Sequence, residues 1–253
     1  MRKYVEYAYE ISSDELYERL VGFGLFAEKI PNFLTSEKFL SYTQTLAFPL
    51  SIKAKDYIRY NSMRNINVPR SMAIPEPFSY SNQCRCLADN WNNIQNHFYQ
   101  KTLDDKFKIS RIHLRKMKDK STLFEMSYKN FSKDGDPEQD ILIRSKYIAN
   151  ADISTCFPSI YSHSISWALV GKSVAKVDRD TLKWFNQLDS CTRNVKCGET
   201  NGVLIGPHAS NLISEIILVT VDKELTSAGF KYIRNIDDYT CYVDSYEEAD
   251  RFF

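Results

Sequence analysis

At 253 residues with 43% apolar content, the chain can bury a real core but has room for only one or two domains. Lys plus Arg (33) nearly cancel Asp plus Glu (32), which argues against a polybasic, histone-like protein, and 13% aromatic content excludes a long disordered acidic chain. The neutral total conceals an asymmetry, about −2 over residues 1–50, about +8 over 51–130, about 0 over 131–200 and about −5 over 201–253.

No apolar run is long enough for a transmembrane helix, and the N-terminus MRKYVEYAYEISSDE lacks the apolar stretch of a signal peptide. Cys84, Cys86, Cys156, Cys191, Cys197 and Cys241 form no C-x-x-C pair, so reduced thiols in a cytoplasmic protein are expected and no zinc spacing is present. Eight glycines exclude a loop-dominated chain, and no internal period is found.

In chain order, Ser12 and Glu15 stand at capping-box spacing before an apolar face of Leu16, Leu20 and Val21, and Gly22 and Gly24 end that helix. A second helix is expected over Ser36 to Leu46. Residues 65–82 hold Pro69, Pro75 and Pro77 and are expected to be extended or looped. From Gln83, the spacing of Leu87, Trp91, Ile94 and Phe98 predicts a buried helix face. Lys106 and Lys108, then Arg111, His113 and Arg115, alternate with Phe107, Ile109, Ile112 and Leu114. A bulge near Ser110 would keep one strand face basic, suited to a phosphate backbone or triphosphate; a solvated edge strand is the plainer alternative. Lys133 to Pro137 has the composition of a hairpin tip.

Three later segments belong together. Tyr147 to Ser154 reads as a strand that carries Asp152, followed by Thr155 to Tyr161, where Pro158 can open a helix. Gly202 to Asn211 is a Gly-punctuated loop entering a helix with Leu212, Ile213, Ile216, Ile217, Val221 and Leu225 on its apolar side. Phe230 to Ile236 and Tyr239 to Val243 are β-rich runs flanking Asp237-Asp238, which predicts a hairpin with adjacent acids at its tip. Neighbouring carboxylates repel unless a cation offsets them, and hard oxygen ligands of this kind suit Mg²⁺. A solvated turn is the alternative for an isolated Asp-Asp pair.

Those segments resemble the palm of a reverse transcriptase. Asp152 to Tyr161, with Phe157 five residues after the acid, resembles the first catalytic motif. Leu204-Ile205-Gly206-Pro207 with Ser210 resembles the second, and Asn235-Ile236-Asp237-Asp238 the third. Phe157 to Ile165, Arg144, and Gly206 to Asn211 are similar to bacterial abortive-infection and defence-associated reverse transcriptases, as are Gly22 to Lys29 and Ile74 to Phe78. The likeness covers nearly the whole chain and is strongest from Arg144 to Val243.

The resemblance implies an α+β right-hand fold, with helical and β fingers over residues 1–149 and a ferredoxin-like palm over 150–253. It implies RNA-directed DNA polymerase activity in antiphage defence, transferring a nucleotide from dNTP to a primer or protein hydroxyl. Asp152, Asp237 and Asp238 would be the catalytic acids. With the Ile153 carbonyl they would hold two Mg²⁺, for which Mn²⁺ could substitute. Phe157, Gly206, Pro207 and Arg144 would contact the nucleotide, the Phe157 ring lying beneath the sugar. Arg111, Arg115 and Lys116 would contact nucleic acid along the basic fingers. Expected partners are dNTP, an RNA template, a DNA product, a non-coding RNA and further copies of the chain, with no membrane. For Ser210 and Asn211, helix capping competes with nucleotide contact; for His163 and His208, buried or capping roles are expected. Asn235 replaces the usual aromatic of the third motif, and no thumb is found before Phe253, so the expectation is a fragment or a chain completed by a partner. Template-independent synthesis and a non-catalytic RNA-binding scaffold are the alternatives.

Overall fold

A computed structural model describes residues 4–26, 34–47, 53–63, 68–103, 116 and 138–253, a mixed α+β arrangement with two small antiparallel sheets. The first helices follow the sequence pattern. After α1 (Tyr4–Tyr9), α2 (Ser13–Phe23) begins where the Ser12 side chain accepts from the Glu15 amide at 3.2 Å, and ends at Gly24. α3 is shorter than expected, Glu37–Thr43, and the Ser36 hydroxyl donates to the Gly22 carbonyl rather than capping its own helix.

The proline-rich stretch divides in two. β1 (Tyr57–Met63) pairs with β2 (Pro69–Pro75) as an antiparallel ribbon, but α4 (Pro77–Asp89) already begins at the third proline. Pro77 occupies the first turn, where its missing N–H costs nothing, and the Glu76 carboxylate accepts from the Ser79 amide at 2.8 Å. The expectation of an extended or looped segment to residue 82 is therefore corrected from Pro77 onward. α5 (Trp91–Thr102) continues after a break at Asn90, and Leu87, Trp91, Ile94 and Phe98 are all buried, as their spacing predicts. The expected strand over residues 106–115 and the hairpin tip at 133–137 lie outside the described residues.

After α6 (Glu138–Leu142), β3 (Tyr147–Asp152) leads to α7 (Cys156–Ser159), α8 (His163–Val170), α9 (Lys172–Val177) and α10 (Trp184–Asn194). The long α11 (His208–Ser227) precedes β4 (Lys231–Asn235), β5 (Asp238–Val243) and α12 (Tyr246–Phe252). On α11, Leu212, Ile213 and Ile216 are buried as expected, but Val221 is 39% exposed while Leu218 and Val219 are buried. The buried face thus turns away from Val221, toward α5.

The principal core joins the N-terminal helices to α8, α10 and α11, through Leu16, Leu20, Leu87, Trp91, Ile165, Leu188, Ile213 and Ile216. The second sheet has the order β3-β5-β4. One of its faces, with Ala149, Tyr232, Tyr239, Cys241 and Val243, packs against Leu225, Phe230, Ala249 and Phe252. Side chains alternate across a strand, so Asp152, Asn150, Asp238 and Thr240 share the opposite face. Among the described residues, no helix is long and apolar enough to cross a membrane.

Candidate active site

The site is built at the end of the β3-β5-β4 sheet. Asp152, the last residue of β3, lies directly opposite Asp238, the first residue of β5, and Asn235 faces Asp238 from β4. Directly opposed residues on antiparallel strands project on the same side, so two carboxylates are paired there, which is destabilising without a cation. Asp237 lies in the two-residue turn between β4 and β5, and its backbone carbonyl accepts from the Ile153 amide at 3.2 Å. This bond ties the residue after Asp152 to the acidic turn.

Electrostatics agree with that crowding. Partial burial, followed by the charges of Asp238 and Asp152, holds the Asp237 carboxyl above its ordinary range, while Arg70 acts against the rise. Among the described residues, no three His, Cys, Asp or Glu side chains are already drawn into a metal-ligand cluster. The donors at this edge are nonetheless all hard oxygens, and mutually repelling carboxylates are the set a divalent cation such as Mg²⁺ relieves.

The turn is set from behind by a buried charge network. Arg234, fully buried on β4, donates to Glu215 at 3.0 Å and to Asp222 at 2.7 Å, both carboxylates belonging to α11. Burial pulls the guanidinium down, but Asp222 and Glu215 outweigh it and keep Arg234 charged. Tyr4 of α1 donates to Glu215 at 2.6 Å, and the Tyr232 hydroxyl donates to the Asp222 carbonyl at 2.9 Å. The sequence pattern does not single out these residues. A β-run shows Arg234 only as an alternating polar position, and Glu215 and Asp222 sit on a helix whose other buried residues are largely apolar.

A second strip lies beside the carboxylates. The Val203 amide donates to the Phe157 carbonyl at 2.8 Å, and Gly202 (φ 82°) donates to the Ile160 carbonyl at 2.6 Å, so the Gly202–Pro207 loop runs against α7. Ala73 of β2 donates to the Ile205 carbonyl at 2.8 Å, which fastens the β1–β2 ribbon to the same loop. Gly206 has φ of 128°, a conformation that excludes ordinary side chains. Phe157 is 9% exposed and belongs to the principal core, with little ring surface free.

The structure thus brings together Asp152, Ile153, Asp237 and Asp238, and strings Phe157, Gly206 and Pro207 into the neighbouring strip. It does not bring Arg144 to them. Arg144 (φ 71°) precedes β3, and the strand's length of roughly 17 Å separates that end from Asp152. Lys116 pairs at 2.8 Å with Glu15 of α2 rather than with the acids; Arg111 and Arg115 lie outside the described residues. Arg70, an exposed β2 residue, is a cation whose charge reaches Asp237. Nothing in the local sequence pattern marks Arg70 for this place. α11 is preceded by Pro207 without a side-chain cap, and Ser210 is buried in its first turn. His208 is buried and its amide donates to the Gly24 carbonyl at 2.8 Å; His163 pairs instead with Asp189. Comparison of the chain with protein-family models and with curated proteins returns no match to either.

Proposed function

We propose that this chain carries the catalytic centre of an RNA-directed DNA polymerase of the reverse transcriptase type, serving bacterial antiphage defence. The observation that carries this reading is the cross-strand pairing of Asp152 with Asp238, with Asp237 in the adjoining turn and Ile153 bonded to it. A solvated hairpin tip gives no reason for a third carboxylate on a neighbouring strand to be registered against it.

In this reading the hydroxyl oxygen of a primer, or of a protein side chain, attacks the α-phosphorus of a dNTP. The new O–P bond forms as the bond to the β-phosphate bridging oxygen breaks, pyrophosphate leaves, and the hydroxyl proton is lost. Asp152, Asp237 and Asp238 would hold divalent cations, Mg²⁺ by the chemistry of their oxygens, and the ions would supply charge stabilisation to the attacking and leaving oxygens. Arg70 would neutralise and orient the triphosphate from the β1–β2 ribbon. Gly206 and Pro207 would let the backbone approach the nascent base pair. Positioning and preorganised charge account for most of the rate in such a reaction.

The test is dNTP incorporation by the full-length protein with Mg²⁺, RNA template and primer, comparing wild type with Asp237→Asn. Incorporation that falls to background in the variant supports the assignment, and undiminished incorporation overturns it. Sequencing the product separates templated copying from untemplated addition.

A further inference from the structure

A cleft of about 500 Å³ lies among α8, α9 and α10, and none of the three aspartates of the proposed polymerase centre lines it. Its wall combines three kinds of group. Tyr161 and Trp167 supply aromatic surface, their ring centroids 5.6 Å apart, with Lys172 over the Trp167 ring at 4.8 Å. Lys176, Arg179 and Arg193 supply positive charge. Lys176 and Arg179 are exposed and, among the described residues, neither has an acidic partner. The carboxylates nearest them in sequence are engaged elsewhere: Asp178 accepts from the Asp180 amide at 3.2 Å and Asp180 from the Leu182 amide at 2.9 Å.

The third kind of group is a buried acceptor. Asp189 is 5% exposed and accepts from His163 Nδ1 at 2.6 Å through Oδ2. Its other oxygen, Oδ1, lies 3.3 Å from Arg193 Nε, at charge-pair distance but without hydrogen-bond geometry, so both atoms lack a hydrogen-bond partner. Because a carboxylate only accepts, His163 Nδ1 must carry its proton, which leaves Nε2 as the ring's other polar atom. Asp189 is compensated by Arg193 and oriented by His163, so the lining retains an excess of positive charge.

We propose that this cleft is a binding site for a free mononucleotide, separate from the polymerase centre and independent of that assignment. Lys176 and Arg179 meet the phosphate, one ring of the tilted Tyr161–Trp167 pair stacks the base, and Asp189 Oδ1, held beside Arg193, accepts from a ribose hydroxyl. The volume falls in the range of small-ligand sites and is too small for a duplex. A plain anion site would need the cations but neither the aromatic wall nor an acceptor that lacks a hydrogen bond.

The experiment is calorimetric titration of the full chain with AMP, adenosine, inorganic phosphate and a five-nucleotide RNA, all in EDTA so that no divalent cation can recruit nucleotide to the aspartates. Expected is AMP binding that exceeds that of adenosine and of phosphate, weakened about tenfold in Lys176→Gln/Arg179→Gln and weakened again in Trp167→Leu. Lys176 and Arg179 are exposed, so the double variant leaves the core intact. Absence of AMP binding, equal binding of inorganic phosphate or adenosine, tighter binding of the RNA, or affinity unchanged in the double variant would each overturn the proposal.

Discussion

The guanidinium of Arg234, wholly buried, donates to the backbone carbonyl of Ile236 at 2.8 Å. Ile236 has φ of 62°, a region that β-branched residues rarely adopt and that costs on the order of 1–3 kcal/mol. The same guanidinium is gripped by Glu215 and Asp222 of α11. The conformation of the acidic turn is therefore imposed by a helix on the opposite face of the sheet, through one cation.

Arg234→Met is expected to destabilise the fold by about 3–5 kcal/mol, because it leaves Glu215 and Asp222 buried without compensation. Urea unfolding of the variant measures this. Adding Glu215→Gln and Asp222→Asn should restore much of the loss, since the stranded charges are then gone. Recovery of stability without recovery of dNTP incorporation would separate the network's role in folding from its hold on the Ile236 carbonyl.

Asp237→Asn is expected to raise the melting temperature in EDTA. Burial, Asp238 and Asp152 all disfavour the ionised Asp237 carboxyl, so removing its charge relieves the native state. Mg²⁺ should raise the melting temperature of the wild type and shift the variant far less. A thermal-shift series across Mg²⁺ concentration checks both directions.

Arg70→Gln is expected to raise the KM for dNTP about tenfold with little change in melting temperature. Arg70 is exposed on β2, so its loss removes little packing, while its charge reaches Asp237. Steady-state incorporation kinetics with a fixed primer and template provide the measurement. A fall in kcat at unchanged KM would move Arg70 from substrate binding to a role in the chemical step.

The elements of this fold were largely legible where a side chain acts on its own neighbours. Ser12 with Glu15 marks a helix start, Leu87 to Phe98 a buried face, and Asp237-Asp238 between two β-runs a hairpin. What escaped depends on distant partners. Pro77 reads as a breaker in the sequence, because nothing in the local pattern shows that Glu76 will cap a helix beginning there. The resemblance implies a nucleotide contact for Arg144, but an extended strand separates it from Asp152 and leaves it at the far end of the sheet. Arg70 arrives from 82 residues upstream of Asp152, brought by a ribbon whose attachment to Ile205 no periodicity encodes. The Asp152–Asp238 pair lies between: each acid was visible alone, and their register is a property of the sheet.

Two glycines with nearly the same backbone conformation should respond differently to substitution. Gly202 (φ 82°) and Gly229 (φ 87°) both disfavour a Cβ on conformational grounds, at roughly 1–2 kcal/mol. A Cβ at Gly202 would also stand 2.8 Å from the Pro158 carbonyl oxygen, whereas nothing lies within 4 Å at Gly229. Gly202→Ala should therefore cost clearly more in urea unfolding than Gly229→Ala. It should also reduce incorporation, because it pushes the Gly202–Pro207 loop away from α7.

His97 should give the protein an acid-sensitive component of stability. The ring is buried on α5, and its Nε2 donates to the Ile216 carbonyl of α11 at 2.9 Å, which requires the proton on Nε2. Burial is the largest influence and pushes the pKa down to about 4 from an ordinary 6.5, although the Ile216 carbonyl opposes it. Between those two values the unfolded chain binds a proton that the folded chain does not, so stability rises with pH across that window. The contribution is present in full above about pH 6.5 and is lost as pH falls toward 4, amounting to about 3 kcal/mol over the whole interval. Other groups titrate in the same range, so the comparison is with His97→Gln, whose amide can still donate to Ile216. Urea unfolding at pH 7, 6 and 5 should show wild type losing stability faster than the variant. Parallel pH profiles would mean that His97 titrates as it does in the unfolded chain, and that α5 and α11 open to admit its proton.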